Sequence, residues 1–249
     1  MSIQVHRYYV PDSLQNYNHL VIAGGKAACI DPFNWTLAEQ TAQSQEVEIT
    51  EIWLTHGHGD HVVGVPDHFP GPIKGHPDIS RCAVTEPFAE PGSFDFAGHR
   101  IEIMVTPGHT FDHLCFFIPE IPALIAGDTL FNAGVGNTRS GDTDTLYQSI
   151  QSLKALPDDT QLYNGHDYLP TNIGFTASVS GDTALTRQWR ERCDSTTPDN
   201  RPVTTLGDER AINLFLQTDQ QALRSQLALN DNASDQTVFR ALRARRDQW

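Results

Sequence analysis

The sequence predicts an α/β domain over residues 1–170 followed by a small all-α domain over residues 171–249. Up to about Tyr163, short β-rich runs alternate with turn clusters and only a few helical stretches. After His166 the β signal fades and every periodic run reads as a helix. The length of 249 residues suits a medium domain with a smaller one attached, and can bury a core without disulfide staples.

The strands are expected at His19–Ile22, Ala27–Ile30, Ile49–Leu54, Ile101–Val105, Leu114–Ile118 and Ala123–Ile125. Gly24-Gly25, Pro32, Gly71-Pro72 and Pro107-Gly108 punctuate them. Two helices interrupt this part, Leu37–Gln45 and Leu146–Leu156, the second with Asp142 to Asp144 as cap candidates and Pro157 as its stop. Beyond His166, helices are expected at Asn172–Ser180, Asp182–Cys193, Asp208–Leu216, Asp219–Leu227 and Ser234–Arg246, several opening on Asp, Asn or Ser. Pro198 and Pro202 mark the segment Cys193–Leu206 as a loop between helices.

Composition narrows the function classes. No signal peptide or membrane-length apolar run is evident, so the chain reads as cytoplasmic, with no membrane partner. Cys29, Cys82, Cys115 and Cys193 form no CxxC pair, which fits buried thiols in a reducing compartment. A net charge of −14 repels nucleic acid and argues against a nuclease. Against that background Arg240, Arg243, Arg245 and Arg246 crowd the last ten residues, a local reversal of sign that needs a reason.

The chemistry is carried by one run and three turns. The strand-like Ile52-Trp53-Leu54-Thr55 leads into His56-Gly57-His58-Gly59-Asp60-His61. Alternate residues of an extended segment point the same way, so His56 and His58 can share an ion. The two glycines are expected to allow a bend that turns Asp60 and His61 toward a second one. With 11 His and 21 Asp in the chain, such a run arises by chance about two times in a thousand. Further ligands stand where other strand-like runs end: His109, Asp128 and His166, each directly after a glycine that permits close backbone approach. Imidazole and carboxylate suit two divalent ions, zinc foremost, with iron and manganese also accepted by this set. Asp31, Thr55 and Asp167 are candidates to support the ligands from behind. His6, His19, His68, His76, His99 and His113 have no partner motif and read as surface or structural.

The HGHGDH run, the PGHT turn, the GDTLF segment and GHDY together resemble the metallo-β-lactamase superfamily, and within it the glyoxalase II (hydroxyacylglutathione hydrolase) family. The C-terminal third, through Thr204–Leu216 and Phe239–Trp249, resembles that family's helical domain. The resemblance implies a four-layer αββα sandwich with a C-terminal all-α domain. It implies His56, His58 and His109 on one ion, Asp60, His61 and His166 on the other, and Asp128 bridging them. It also implies hydrolysis of a glutathione-type thioester such as S-D-lactoylglutathione by metal-activated water, with Asp60 as a catalytic candidate that orients the nucleophile. Methylglyoxal detoxification would be the setting, and the chain is expected to act as a monomer.

The loop after the bridging aspartate departs from the family pattern. Asn137 stands where a basic residue is usual and Arg139 where an aromatic one is. Tyr168, Arg243 and Arg246 match the family's remaining thiol-side contacts, and Arg243 and Arg246 sit at i and i+3 on one helical face. Two other readings share these motifs. One is a mononuclear iron persulfide dioxygenase using His56, His109 and Asp128; the other is a lactonase or other acyl hydrolase of the same fold.

Overall fold

The computed structural model describes residues 2–249 and contains two β-sheets packed face to face between helices. The first sheet has six strands in sequence order: β1 (Ile3–Tyr9), β2 (Tyr17–Ala23), β3 (Lys26–Ile30), β4 (Glu48–Trp53), β5 (Ile73–Gly75) and β6 (Glu86–Pro87). Helix α1 (Trp35–Ser44) crosses between β3 and β4, which pair in parallel, and the short helix α2 (Gly59–Val62) follows β4. The second sheet takes β7 (Gly92–Phe96), β8 (His99–Val105), β9 (Leu114–Ile118) and β10 (Ala123–Gly127) as an antiparallel meander. β11 (Leu130–Phe131) and β12 (Gly134–Val135) form a separate hairpin. After α3 (Thr143–Lys154), strand β13 (Gln161–Asn164) pairs in parallel with β10.

Side-chain alternation explains the layering. Along the wholly buried β2, Leu20 and Ile22 face α1, where they meet Ala38 and Ala42. Val21 and Ala23 face the other way, into an inter-sheet core with Ile30, Trp53, Ile101, Phe116 and Ile125. The outer face of the second sheet offers Phe117 and Leu124 to Leu146 and Ile150 of α3. This is the expected αββα sandwich.

The remaining helices are α4 (Leu169–Ser180), α5 (Ala184–Asp194), α6 (Leu206–Ile212), α7 (Gln221–Gln226) and α8 (Asp235–Gln248). Phe175, Phe215 and Phe239 from this segment belong to the same core cluster as Phe117 and Leu146, so the C-terminal helices share one apolar core with the second sheet. The expected elements are present, with shifts set by capping. The first helix starts at Trp35 because Asn34 accepts the Leu37 N–H, and α3 starts at Thr143 because Asp142 accepts the Thr145 N–H. The expected helix Asp208–Leu216 instead divides at Asn213, whose side chain accepts the Phe215 N–H and starts a 3-10 turn, Leu214–Leu216.

Three of the four cysteines are buried, Cys82 is half-buried, and all four are free thiols. Among the described residues no helix is long and apolar enough to cross a membrane. The C-terminal arginines fall into two pairs. Arg240 bonds to Asp144 of α3 and Arg245 donates to the Ser178 carbonyl, both fastening α8, while Arg243 and Arg246 line a cavity.

Candidate metal centre

The edge where β4, β8, β10 and β13 end gathers all seven expected ligands into two groups around Asp128. His56, His58 and His109 form one, and Asp60, His61 and His166 the other. His58 Nδ1 lies 3.0 Å from His109 Nε2, and His61 Nε2 lies 3.4 Å from His166 Nε2. Asp128 Oδ2 reaches both groups, 3.5 Å from His109 Nε2 and 3.2 Å from His166 Nε2. Asp60 Oδ2 is 3.4 Å from His61 Nε2 and 3.5 Å from His166 Nε2.

The atoms behind these rings decide what the facing nitrogens can be. His109 Nδ1 faces the Asn137 carbonyl at 2.7 Å and His166 Nδ1 faces the Leu14 carbonyl at 2.9 Å. A carbonyl only accepts, so each Nδ1 carries the hydrogen and each Nε2 presents a lone pair to the cluster. His61 Nδ1 is held likewise by Asp31 Oδ2 at 2.9 Å. Thr55 donates its hydroxyl to the same Asp31 oxygen, which leaves its lone pairs for His56 Nδ1 at 3.0 Å. His56 Nε2 is then a buried lone pair with no hydrogen-bond partner, as is Asp128 Oδ1. The His61 and His166 lone pairs, aimed at one another across 3.4 Å, repel unless a cation lies between them. Ligands 2.0–2.1 Å from a tetrahedral ion stand about 3.3 Å apart, the spacing observed. The residues fit two divalent cations.

Electrostatics agrees with this donor set for the first triad, and differs at His61. Burial pushes His56, His58 and His109 below the usual histidine range, toward the neutral form a cation requires. For His61 burial acts in the same direction but Asp128 and Asp31 outweigh it, so its pKa is raised. Burial would raise Asp128, yet His166 and His61 hold it well below the usual carboxylate range.

Asp31 also falls within reach of His56 and His61. Its oxygens are committed to the Thr55 N–H, the Thr55 hydroxyl and His61 Nδ1, so it orients His61 as expected of a residue behind the ligands. Asp167 instead pairs with Arg201 at 3.0 Å, away from the cluster. His113 is structural as read, and it is fully buried: its Nε2 accepts the Asp128 N–H at 3.1 Å and its ring stacks on His56. Asn16, which sequence reasoning passed over, donates to Asp60 Oδ2 at 3.2 Å.

The glycines of the HGHGDH run do not make the bend expected of them. Gly57 and Gly59 are not in the left-handed region, and Asp60 and His61 are turned inward by the helical turn α2. A Cβ on Gly57 would meet Asp112 Oδ2 at 2.7 Å, and one on Gly59 would meet Arg81 Nη1 at 2.9 Å, both the ends of flexible side chains with room to move aside. The glycines before the three isolated ligands serve as expected. A Cβ on Gly108 would lie 2.3 Å from Leu146 Cα, on Gly127 2.5 Å from Thr55 Oγ1, and on Gly165 2.3 Å from Asp128 Oδ1.

Asn137, Arg139, Tyr168, Arg243 and Arg246 come together with Asp128 around a cavity of about 370 Å³. Tyr168 stacks on His166 with ring centroids 4.8 Å apart. Arg243 is 5% exposed and largely committed: Nη1 donates to the Val135 and Gly136 carbonyls, and Nε and Nη2 to Asp247. Arg139 and Arg246 form no ion pair among the described residues, so they carry the free positive charge of this cavity.

Similarity to known proteins agrees with this geometry. Residues 84–166 match the family model of the metallo-beta-lactamase superfamily, and residues 167–249 match the hydroxyacylglutathione hydrolase C-terminus. A hydroxyacylglutathione hydrolase of Polaromonas sp. is 34% identical over 98% of this chain and 99% of its own. One from Rhizobium meliloti is 35% identical over 81% of each chain. The crystal structure of ETHE1 from Myxococcus xanthus superposes with a TM-score of 0.67 at 20% identity, covering 97% of this chain and 90% of that one, which establishes the fold alone. With two family models meeting at His166 and full-length relatives above 30% identity, the chain is an enzyme of the hydroxyacylglutathione hydrolase family, within the metallo-β-lactamase superfamily.

Proposed function

We propose that the chain hydrolyses glutathione thioesters, S-D-lactoylglutathione among them, to a 2-hydroxy acid and free glutathione, using two divalent ions, zinc foremost. One observation carries the reading. Two lone-pair triads flank a shared carboxylate, Asp128, and that carboxylate also lines a cavity with unpaired cations. His56, His58 and His109 would hold one ion, Asp60, His61 and His166 the other, with Asp128 between them. A divalent pair there would generate a nucleophile from water at neutral pH and polarise the acyl carbonyl.

The protein's own groups supply positioning. Asp31, Thr55, Asn137 and Leu14 fix the rings from behind, and Asn16 holds Asp60 so that this carboxylate can orient the attacking water. Arg246 and Arg139 attract the carboxylates of the glutathione moiety while Tyr168 packs beside His166. Arg243 supports recognition by pinning the Val135–Gly136 backbone. Residues 171–249 thus act as the substrate-binding region. Water adds to the acyl carbon, the carbon–sulfur bond breaks, and the thiol leaves with a pKa near 8.5, so no dedicated acid is required. The second triad favours this reading over a mononuclear dioxygenase, for which His56, His109 and Asp128 would suffice. The reading fits a monomer in the cytoplasmic glutathione pool, removing methylglyoxal-derived thioesters.

The test is free-thiol release from S-D-lactoylglutathione by purified protein, before chelation, after it, and after zinc reloading. Turnover that is lost and regained, at kcat/KM above about 10⁴ M⁻¹s⁻¹, is expected. Metal-replete protein that releases no thiol but consumes oxygen on a glutathione persulfide would overturn the reading.

A further inference from the structure

A second cavity, of about 770 Å³, meets the cluster at Gly59 and Asp60, whereas the cationic cavity meets it at Asp128, and the two share no lining residue. A single helical turn, α2, carries Asp60 and His61 to the cluster and Val62 to this cavity. The walls are apolar, formed by Phe33, Val62, Val63, Val65 and Ile73. Val63, one residue after the ligand-bearing turn, is 65% exposed. Asp67 is exposed at the rim, while the Arg81 guanidinium lies against Gly59 and borders the cavity near the cluster. The volume lies in the range that takes a drug-sized ligand, far more than a lactoyl group needs.

A thioester whose glutathione carboxylates sit with Arg139 and Arg246 must extend its acyl group past the cluster, away from those cations. We infer that the cavity beside Asp60 is an acyl subsite and that the chain favours glutathione thioesters of extended aliphatic acids over the lactoyl ester. This rests on the thioester-hydrolase reading above and deepens it. The cationic cavity fixes the thiol carrier, and the apolar one selects the acyl chain by the water it removes from methylene groups.

The experiment is a chain-length series on the zinc-loaded full chain: S-acetyl-, S-butyryl-, S-hexanoyl- and S-octanoylglutathione beside S-D-lactoylglutathione, read as thiol release. Burying two methylenes predicts a kcat/KM about tenfold higher for the hexanoyl than for the butyryl ester, close to the full transfer value per methylene. Ala83→Trp, at the cavity wall, should flatten the series toward a ratio near one. Val63→Ser removes one apolar wall from an exposed position where folding is not at stake, and should lower the ratio about threefold. A flat or falling series with brisk lactoylglutathione turnover overturns the acyl subsite and leaves the hydrolase standing. A steep series that neither variant changes also overturns it, by placing the chain elsewhere. No turnover of any member overturns both readings.

Discussion

The His/Asp cluster and the cationic cavity lie side by side and are built to different tolerances. In the cluster His56, His61, His109 and His166 are at most 3% exposed, and the second nitrogen of each ring is tied by a backbone carbonyl, a carboxylate or a hydroxyl. In the cavity the free cations sit on a loop and on one face of α8, and Arg246 keeps only a 3.4 Å contact to Asn172 Oδ1. The cluster must hold a geometry to fractions of an ångström, so its supports are buried and redundant. On the proposed reading the cavity has only to supply charge, which Arg139, two positions along the loop from Asn137, would provide.

The comparison predicts a steep asymmetry. His56→Ala or Asp128→Ala should remove at least about a thousandfold of kcat and lower the metal content, because the attacking water loses the activation that takes its pKa from 15.7 to about 7. Metal analysis alongside thiol release checks this; full metal content with near-native kcat would erase the distinction between the two regions. Asp31→Ala acts one layer further out. It frees His61 Nδ1 and the Thr55 N–H together, so metal affinity should fall about 10- to 100-fold, measured by competition with a chelator.

Inside the cavity the two matched arginines should separate. Arg246→Ala is expected to raise KM for a glutathione thioester about tenfold with kcat within twofold, since it removes a half-exposed charge that meets substrate in ground and transition state alike. Arg243→Ala should change both parameters and lower thermal stability, because it releases two backbone carbonyls and leaves Asp247 unpaired. Equal KM effects with unchanged kcat in both variants would return Arg243 to the role of a substrate contact.

The same division explains what was legible in the sequence. His56, His58, Asp60 and His61 are neighbours on one run, and His109, Asp128 and His166 each follow a glycine at the end of a strand, so spacing and turn chemistry expose them. Of the partners that fix them, Asp31 and Thr55 were expected, but Asn16 is 44 residues from Asp60 and Ser140 is 82 from His58. No local pattern reports such pairs. Arg243 was legible as a cavity position, but its bonds to the Val135 and Gly136 carbonyls were not, because these lie 108 and 107 residues away. The strands were readable because β-rich runs and turn residues are local, and the layered sandwich followed from the family resemblance of the motifs, whereas the split of Asp208–Leu216 at Asn213 depends on one side chain capping the next turn.

Glu209 extends the comparison to the joint between the regions, where the effect falls on stability and no turnover change is expected. Its fully buried carboxylate accepts the Ala133 N–H at 2.7 Å, the Thr204 hydroxyl at 2.7 Å and the amides of Asn132 and Asn213, each at 3.3 Å. It therefore fastens α6 beneath the hairpin that follows Asp128. Burial pushes its pKa from 4.5 up to about 7, against those hydrogen bonds, which pull it down. The folded chain then binds a proton that the unfolded chain has lost between pH 4.5 and about 7, so this group's contribution is fully present below pH 4.5 and is lost as pH rises to about 7. The loss is on the order of 3 kcal/mol. Other groups titrate in the same window, so the quantity to measure is the difference in unfolding free energy between the parent chain and Glu209→Gln at several pH values. Gln cannot titrate, and the parent's advantage over it should shrink from pH 5 to pH 7 and then level off. A difference independent of pH would mean that the four donors keep Glu209 ionised throughout, a joint fixed as firmly as the cluster itself.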